Sequence, residues 1–170
     1  MQPVCADHEY LYALKLTEQY AKKRKAEERK NYRERKEKLK TRAQWIADAQ
    51  RAFNQFIRTR DLAAGYGCID CGKPFEPNKP GGSVDAGHFL SRGSAPHLRF
   101  DERNCFAQRK NCNMPGGATR EAFRAGVEAR IGVEELKALE ADQSSPKWTI
   151  DDLKEIIATY REKTRKLAKD

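Results

Sequence analysis

The side chains that could do chemistry in this chain are cysteines, a histidine and asparagines in its middle third. Cys68 and Cys71 form a C-x-x-C pair, in which two thiolates on one tight turn can share a tetrahedral zinc ion. Zinc needs further ligands, and Cys105 and Cys112 are the thiols available downstream. A redox site of the thioredoxin type is disfavoured because its β-α-β context is absent. The alternative is that these cysteines are small buried residues.

His88 is the candidate for acid–base chemistry, because a neutral imidazole can take a proton from water. A lone histidine is more often structural, but this one has neighbours whose side chains bind oxygen or phosphate, or fix loops. A phosphodiester hydrolase needs such a set: a base for water, oxygen ligands for a divalent metal, and a cation for the developing charge. These neighbours are Asp85, Arg92, Arg99, Asn104 and Asn113.

Helices on both sides must position this region. Residues 10 to 42 lack Gly and Pro and predict one long helix, polar on all sides after Tyr20. Thr41 is the expected N-cap of a second helix, whose apolar residues recur at helical spacing from Trp45 to Ile57. Residues 68 to 117 are rich in Gly, Pro and Asn and predict short strands and loops.

Three more helices are predicted after residue 117. The first runs from about Thr119 to Ile131 with Gly132 as its stop, and a short one covers residues 134–140. Thr149 with Asp152 resembles a capping box that opens the last helix.

The positive charge is concentrated near the N-terminus. The chain has a formal net charge of +9, and residues 15 to 42 hold thirteen Lys and Arg against five Glu, a local excess of 13 − 5 = +8. Such an arm would neutralise phosphates and give salt-sensitive affinity for nucleic acid, with Lys22, Lys23, Arg24 and Lys25 as candidate contacts. The alternative is a solvated, charge-laced helix without a partner.

Several classes of protein are disfavoured. No apolar run is long enough for a transmembrane helix, and the first residues lack the pattern of a secretory signal. We therefore expect a cytoplasmic protein that does not associate with membranes. Thiols stay reduced there, and five cysteines, an odd number, fit metal binding better than a disulfide scaffold.

The central residues resemble a known nuclease motif. The spacing His88-x15-Asn104-x8-Asn113, beside the Cys68-x2-Cys71 knuckle and with Cys112 before the last asparagine, is similar to an HNH (His-Me finger, ββα-metal) nuclease of the endonuclease VII type. The chain more specifically resembles the NinG (Rap) recombination proteins of lambdoid bacteriophages. The blocks "QWIADAQRAFNQFIRTRD", "CIDCG", "DAGHFLSRGSAPHLRFDERN", "ARIG" and "KWTIDDLKEI" carry this resemblance over about residues 43 to 165.

The resemblance implies an α+β fold and an activity. The fold would be a small zinc-stapled, HNH-like ββα-metal finger flanked by helices, with a basic helical arm over residues 1–42, a nuclease domain over 43–170 and a zinc and catalytic core over 66–120. The protein would be a phage-encoded endonuclease that cuts Holliday junctions, D-loops or similar branched DNA with Mg²⁺ or Mn²⁺. A homodimer and contacts with other recombination proteins are expected from such a task.

The resemblance also implies residue roles. His88 would be the general base, Asn113 a ligand of the catalytic metal, and Asn104 a brace for the loop that holds His88. Arg92 and Arg99 would contact phosphate, or else form structural ion pairs.

The chain departs from the family pattern at three places. Arg109 stands where a second C-x-x-C would begin, so the fourth zinc ligand would be Cys105, water or nothing. Gly87 precedes the base where relatives often carry an acid, and Asp85 is only a weak candidate metal ligand because residues 85 and 88 of a strand face opposite sides. The family often has an N-terminal zinc ribbon, of which only Cys5 and His8 have counterparts here, so we expect a shortened start or a lost finger.

Two other functions stay open. A non-catalytic, zinc-containing DNA-binding adaptor in recombination is the main alternative, because a degraded zinc site could accompany a degraded active site. An RNA-binding zinc knuckle protein is weaker, since the aromatic residues fall mostly on helical stripes instead of a stacking platform.

Overall fold

The computed structural model describes residues 6–145 and 147–168, and it confirms an α+β fold with mostly helical structure and one small sheet. In chain order the elements are α1 (Ala6–Lys38), α2 (Arg42–Ala63), β1 (Val84–His88), β2 (Cys105–Arg109), α3 (Lys110–Asn113), α4 (Arg120–Ile131), α5 (Val133–Ala141) and α6 (Ile150–Leu167). Short 3₁₀ turns at Pro96–Leu98 and Glu102–Asn104 lie between the strands. No helix within the described residues is long and apolar enough to cross a membrane.

Helix α1 belongs to a compact unit of its own, residues 1–41, separate from residues 42–170. From His8 onward its side chains are almost all exposed, including Tyr20 and Tyr32, as the polar pattern predicts. Arg24 and Glu28 form an i,i+4 ion pair on its surface. The expected zinc-ribbon remnant includes Cys5, which lies outside the described residues.

The larger core of the second unit lies between α2 and α6. The predicted apolar stripe of α2 is buried there, with Phe53 and Ile57 fully enclosed, against Leu153 and Tyr160 of α6. Phe53 and Tyr160 meet edge to face with ring centroids 4.9 Å apart, a favoured aromatic geometry. The capping box predicted at Thr149 is confirmed and fixes the first turn of α6.

The sheet separates this core from a second one. Strands β1 and β2 are antiparallel, with His88 opposite Cys105 and Gly87 opposite Phe106. Because successive side chains of a strand point to opposite faces, Cys105 enters the α2–α6 core while Phe106 enters the other.

The second core is formed by α4, α5 and the loops that flank the sheet. Val127 and Leu136 are fully buried in it, together with Ile69 of the cysteine knuckle. A Cβ at Gly126 would overlap the carbonyl oxygen of Ile69, so only glycine lets α4 approach the knuckle this closely. Gly132, at φ +86°, ends α4 as predicted.

A buried carboxylate joins α2 to the sheet and to α4. Asp61 is 1% exposed and accepts a hydrogen bond from the backbone N–H of Ala107 at 2.7 Å. It also pairs with Arg60 at 2.8 Å and with Arg130 at 3.6 Å. Arg60 in turn donates to the carbonyl oxygens of Glu102 and Cys105, so this network fixes the start of β2 on α2.

We expect Asp61→Asn to destabilise the fold by about 3 kcal/mol, because it leaves buried arginine charge uncompensated. Urea unfolding followed by circular dichroism measures the change. Glu162→Gln is the control, since Glu162 is 56% exposed, pairs with Lys166 on the surface of α6 and should change the free energy of unfolding little. An equal loss in both variants would contradict a special role for Asp61.

Candidate functional site

The strands and α3 form a strand–strand–helix unit that holds most of the candidate residues. His88 is the last residue of β1, Asn104 immediately precedes β2, and Asn113 is the last residue of α3. The antiparallel pairing brings the two strands together although 16 residues separate them in sequence, which aligns His88 with Cys105.

Asn104 ties together the loop that follows His88. It is fully buried, and its side-chain oxygen accepts from the N–H of Leu90 at 2.8 Å. Its amide nitrogen donates to the carbonyl oxygens of Leu90 and Leu98, at 3.0 and 3.1 Å. With these bonds and the backbone bond from Phe89 to Asn104, the loop is fastened where it leaves β1.

The His88 ring is held at both nitrogens. Its Nε2 lies 3.0 Å from the carbonyl oxygen of Arg99, which can only accept, so Nε2 carries the proton. Nδ1 then has a free lone pair, 3.6 Å from the Cys105 sulfur, whose S–H is a weak donor. Burial, followed by the charges of Arg92 and Arg99, lowers the pKa of His88 to about 4, so the ring is neutral at pH 7.

Two arginines next to His88 lack acidic partners. Arg92 is exposed, while Arg99 is half-buried and donates to the neutral side-chain oxygen of Gln50 at 3.2 Å. Of the residues that the structure describes, no carboxylate forms an ion pair with either arginine. The alternative of structural ion pairs for Arg92 and Arg99 therefore finds no support in this arrangement.

Asp85 and Asn113 come together on the other face of β1. The amide nitrogen of Asn113 donates to the Asp85 carboxylate at 3.2 Å, and Asn113 is exposed. Their oxygens are of the type that Mg²⁺ and Mn²⁺ accept as ligands. Gly87 leaves room for Gln108 on this face, since a Cβ at residue 87 would overlap the Gln108 side-chain oxygen. Gln108 therefore takes the space that an acidic residue at position 87 would need.

Three thiols form a group that could hold a metal ion such as zinc. The sulfur atoms of Cys68, Cys71 and Cys112 lie within 4.8 Å of one another, and those of Cys71 and Cys112 are 3.7 Å apart. Burial and then the neighbouring thiols raise the pKa of Cys112 to about 12. Three thiolates this close repel one another, and a bound cation would offset that repulsion, so the donor set fits a soft divalent metal.

Cys105 is not part of this group, which corrects the expectation that it supplies a fourth ligand. Its side chain is fully buried and points into the α2–α6 core beside His88, because position 105 of β2 faces that core. Burial raises the pKa of its thiol well above the usual range. Among the described residues, only Cys68, Cys71 and Cys112 place three possible metal-binding atoms close enough to share one ion.

Arg109 stabilises the loop that a second pair of cysteines would otherwise secure. Its guanidinium donates to the carbonyl oxygen of Pro74 and to the Glu76 carboxylate, both at 3.1 Å. Its backbone N–H donates to the Cys68 sulfur at 3.2 Å. Arg109 thus fastens residues 74–76 and orients one thiol without serving as a ligand.

Sequence reasoning overlooked Gln50, which lies on α2 and is only 6% exposed. The available signal was a polar residue between Ala49 and Phe53, within the stripe that enters the core. It also did not anticipate Asp70, whose carboxylate accepts from the Cys68 thiol at 3.6 Å and whose pKa is raised by burial. The candidate DNA contacts Lys22, Lys23, Arg24 and Lys25 lie exposed on α1, in the other unit.

Comparison with known proteins gives one consistent match. The profile of the family described as Bacteriophage Lambda NinG protein matches residues 4–170. Similar curated relatives are the ninG proteins of Salmonella phage P22 and Escherichia phage lambda, each 38% identical over 133 residues, and that of Escherichia phage 933W, 37% identical. The matches cover 78% of this chain and 62–63% of the relatives, so the chain spans about three fifths of their length. No solved structure matches significantly.

We expect Cys112→Ser to abolish tight binding of Zn²⁺ and Cys105→Ala to leave it unchanged, because Cys112 belongs to the three-thiol group and Cys105 does not. The measurement is zinc content by mass spectrometry after purification, followed by competition with a chromophoric chelator. Equal zinc loss in both variants would return Cys105 to the ligand set.

We expect the stability of the protein to fall as the pH drops from about 6.5 to about 4, partly because of His88. The folded state keeps this histidine neutral, whereas the unfolded chain binds a proton at the ordinary pKa of 6.5, so acid favours unfolding by up to about 3 kcal/mol. Urea unfolding at several pH values should show a shallower fall for His88→Gln over this window. Parallel curves for the two proteins would refute the lowered pKa.

Proposed function

This chain belongs to the NinG family of bacteriophage proteins, and we propose that it is a structure-selective, metal-dependent endodeoxyribonuclease. It would hydrolyse phosphodiesters in Holliday junctions, D-loops or similar branched DNA during phage recombination, in the cytoplasm of the bacterial host. The observation that carries this proposal is a neutral histidine beside two arginines that lack acidic partners.

The state of His88 supports a role as general base. Its Nε2 proton is bonded to the carbonyl oxygen of Arg99, so Nδ1 is the atom able to take a proton from water. The thiol of Cys105 is a weak hydrogen-bond donor, and in this proposal the attacking water would take its place at Nδ1. A bound phosphate would offset the charges of Arg92 and Arg99 and raise the pKa of His88 from about 4 toward a value better suited to a base.

The arginines supply the charge that phosphodiester hydrolysis requires. Arg92 and Arg99 both act on His88 electrostatically, so a phosphate next to the histidine would lie within reach of positive charge. Asp85 and Asn113 are the residues that would hold Mg²⁺ or Mn²⁺. When bound, such an ion polarises the phosphate and stabilises the developing negative charge.

The fold supports an HNH-like ββα-metal finger stapled by zinc. β1, β2 and α3 follow one another as strand, strand and helix, and Asn104 braces the turn after His88. Zinc at Cys68, Cys71 and Cys112 would connect the knuckle to α3, and thus to Asn113. In this proposal the zinc is structural, and its fourth coordination position is either taken by water or left open.

The basic arm supplies general affinity for DNA in this proposal. The exposed Lys and Arg of α1, including Lys22 to Lys25, would neutralise backbone phosphates without reading sequence. In this proposal a homodimer would suit a four-way junction, which presents two symmetric cuts. Contacts with other recombination proteins would suit a role in phage recombination.

A non-catalytic, zinc-containing DNA-binding adaptor is the second candidate. Two observations favour it: both nitrogens of His88 contact protein groups, and Arg109 replaces the fourth thiolate that a complete zinc site would have. In this case the arginines and the arm would bind branched DNA without cutting it.

The two candidates differ in the behaviour of His88→Ala. The nuclease proposal expects the purified protein to cut a synthetic four-way DNA junction with Mg²⁺ or Mn²⁺, and His88→Ala to lower the rate by at least about 10²-fold with unchanged DNA affinity. His97→Ala is the control, because His97 bonds the carbonyl oxygen of Asp142 and lies outside the proposed site.

Undiminished cutting by His88→Ala would refute the assignment of the base. Junction binding without cutting by the unaltered protein, in either metal, would favour the adaptor.

A further inference from the structure

Arg99 has an unusual environment for a half-buried cation. Its guanidinium has lost part of its hydration, and among the described residues its one side-chain hydrogen-bond partner is the neutral amide oxygen of Gln50, 3.2 Å away. Burial, and next the positive charge of Arg92, lower the pKa of Arg99. A partly desolvated cation of this kind is normally paired with an acid, because desolvation without a counter-charge is costly.

Gln50 is fixed in the orientation that leaves Arg99 without a counter-charge. Gln50 is 6% exposed, and its amide nitrogen donates to the side-chain oxygen of Asn54 at 2.7 Å. Its oxygen therefore faces Arg99, and this assignment is consistent because a guanidinium can only donate. A glutamate would fit the same space and would give Arg99 an ion pair, so the amide at this position keeps the positive charge available.

We propose that Gln50 is a positioning residue that holds Arg99 without neutralising it, so that Arg99 and Arg92 form a pocket for a DNA phosphate next to His88. The neutral partner of Arg99 is what the contacts show, whereas DNA as the source of the phosphate rests on the proposed function. Arg99 connects His88 of the sheet to Gln50 of α2. Its backbone carbonyl oxygen accepts a hydrogen bond from His88 Nε2, and its guanidinium donates one to the Gln50 side chain.

Gln50→Glu is the informative substitution. It replaces the amide NH2 group with an oxygen atom, keeps the shape of the side chain and supplies the missing counter-charge to Arg99. If Arg99 binds no anion, the new ion pair leaves the affinity for phosphate unchanged. If Gln50 serves the pocket, the variant keeps or gains thermal stability while it loses affinity for phosphate.

Gln55→Glu is the matched control. Gln55 lies on the same helix, and its side-chain oxygen also accepts from an arginine, Arg58, at 2.8 Å. The substitution makes the same change of charge at an exposed position away from His88. A general effect of added negative charge would therefore appear in both variants.

The first measurement is the melting temperature of the full chain with and without inorganic phosphate, at constant ionic strength set with chloride. We expect phosphate at about ten times its Kd to raise the melting temperature of the unaltered protein and of Gln55→Glu by a few degrees, and to have no effect on Gln50→Glu. Arg99→Gln, which removes the cation, should lose the response as well. A phosphate response that persists in either pocket variant, or is absent from the unaltered protein, would overturn the pocket.

The second measurement is binding of a fluorescent four-way DNA junction across a range of salt concentrations, without divalent metal so that no cutting occurs. Gln50→Glu should bind roughly tenfold more weakly, and the slope of log K against log salt should fall by about 1. Gln55→Glu should bind like the unaltered protein. Unchanged binding by Gln50→Glu, with its phosphate response lost, would overturn DNA as the ligand.

These readouts do not depend on catalysis. A protein that fails to cut DNA but passes both tests would have lost the proposed nuclease function while keeping the phosphate pocket.

Discussion

The five-residue pairing of β1 with β2 is the constraint on which the arrangement of the site depends. It sets His88 against Cys105 in the α2–α6 core and Gly87 against Phe106 at the second core. A shift of one residue would turn His88 away from Arg99 and expose Phe106, so the burial of alternate side chains in two different cores specifies the register. Asp61 reinforces it by accepting a hydrogen bond from the backbone of Ala107, in the middle of β2.

A two-stranded sheet is marginal by itself, and the rest of the second unit compensates for that weakness. Helices α2 and α6 cover one face, α4 and α5 cover the other, and Asn104 secures the long connection between the strands. The cysteine knuckle is held close to α4 by the glycine at position 126 and to β2 by the N–H of Arg109. The candidate functional residues therefore stand on a short sheet that is fixed from both sides.

The polar groups of the site divide between the two faces of β1. On one face, His88 meets Arg99 and the polar residue Gln50 of α2. On the other, Asp85 meets Asn113 near the three thiols. The first face offers positive charge and a neutral imidazole, and the second offers oxygen and sulfur donors. The two groups therefore lie on opposite faces of β1, and the proposed hydrolysis would need both of them to reach one phosphate.

The sequence by itself determined the helices and the chemical types at the site. The spacing of Phe53 and Ile57, the capping box at Thr149 and the stop at Gly132 are local patterns, and local patterns specify helices through propensity and capping. Spacing also drew attention to His88 and to the cysteines. Only the tertiary structure decided which residues meet. The sequence allowed Cys105 as a zinc ligand, but the register of the sheet directs its side chain into the core. Arg109 fastens the loop at Pro74 through a side-chain hydrogen bond. Gln50 could not be linked to Arg99, because they lie 49 positions apart in the sequence and only the packing of α2 on the sheet brings them within hydrogen-bonding distance.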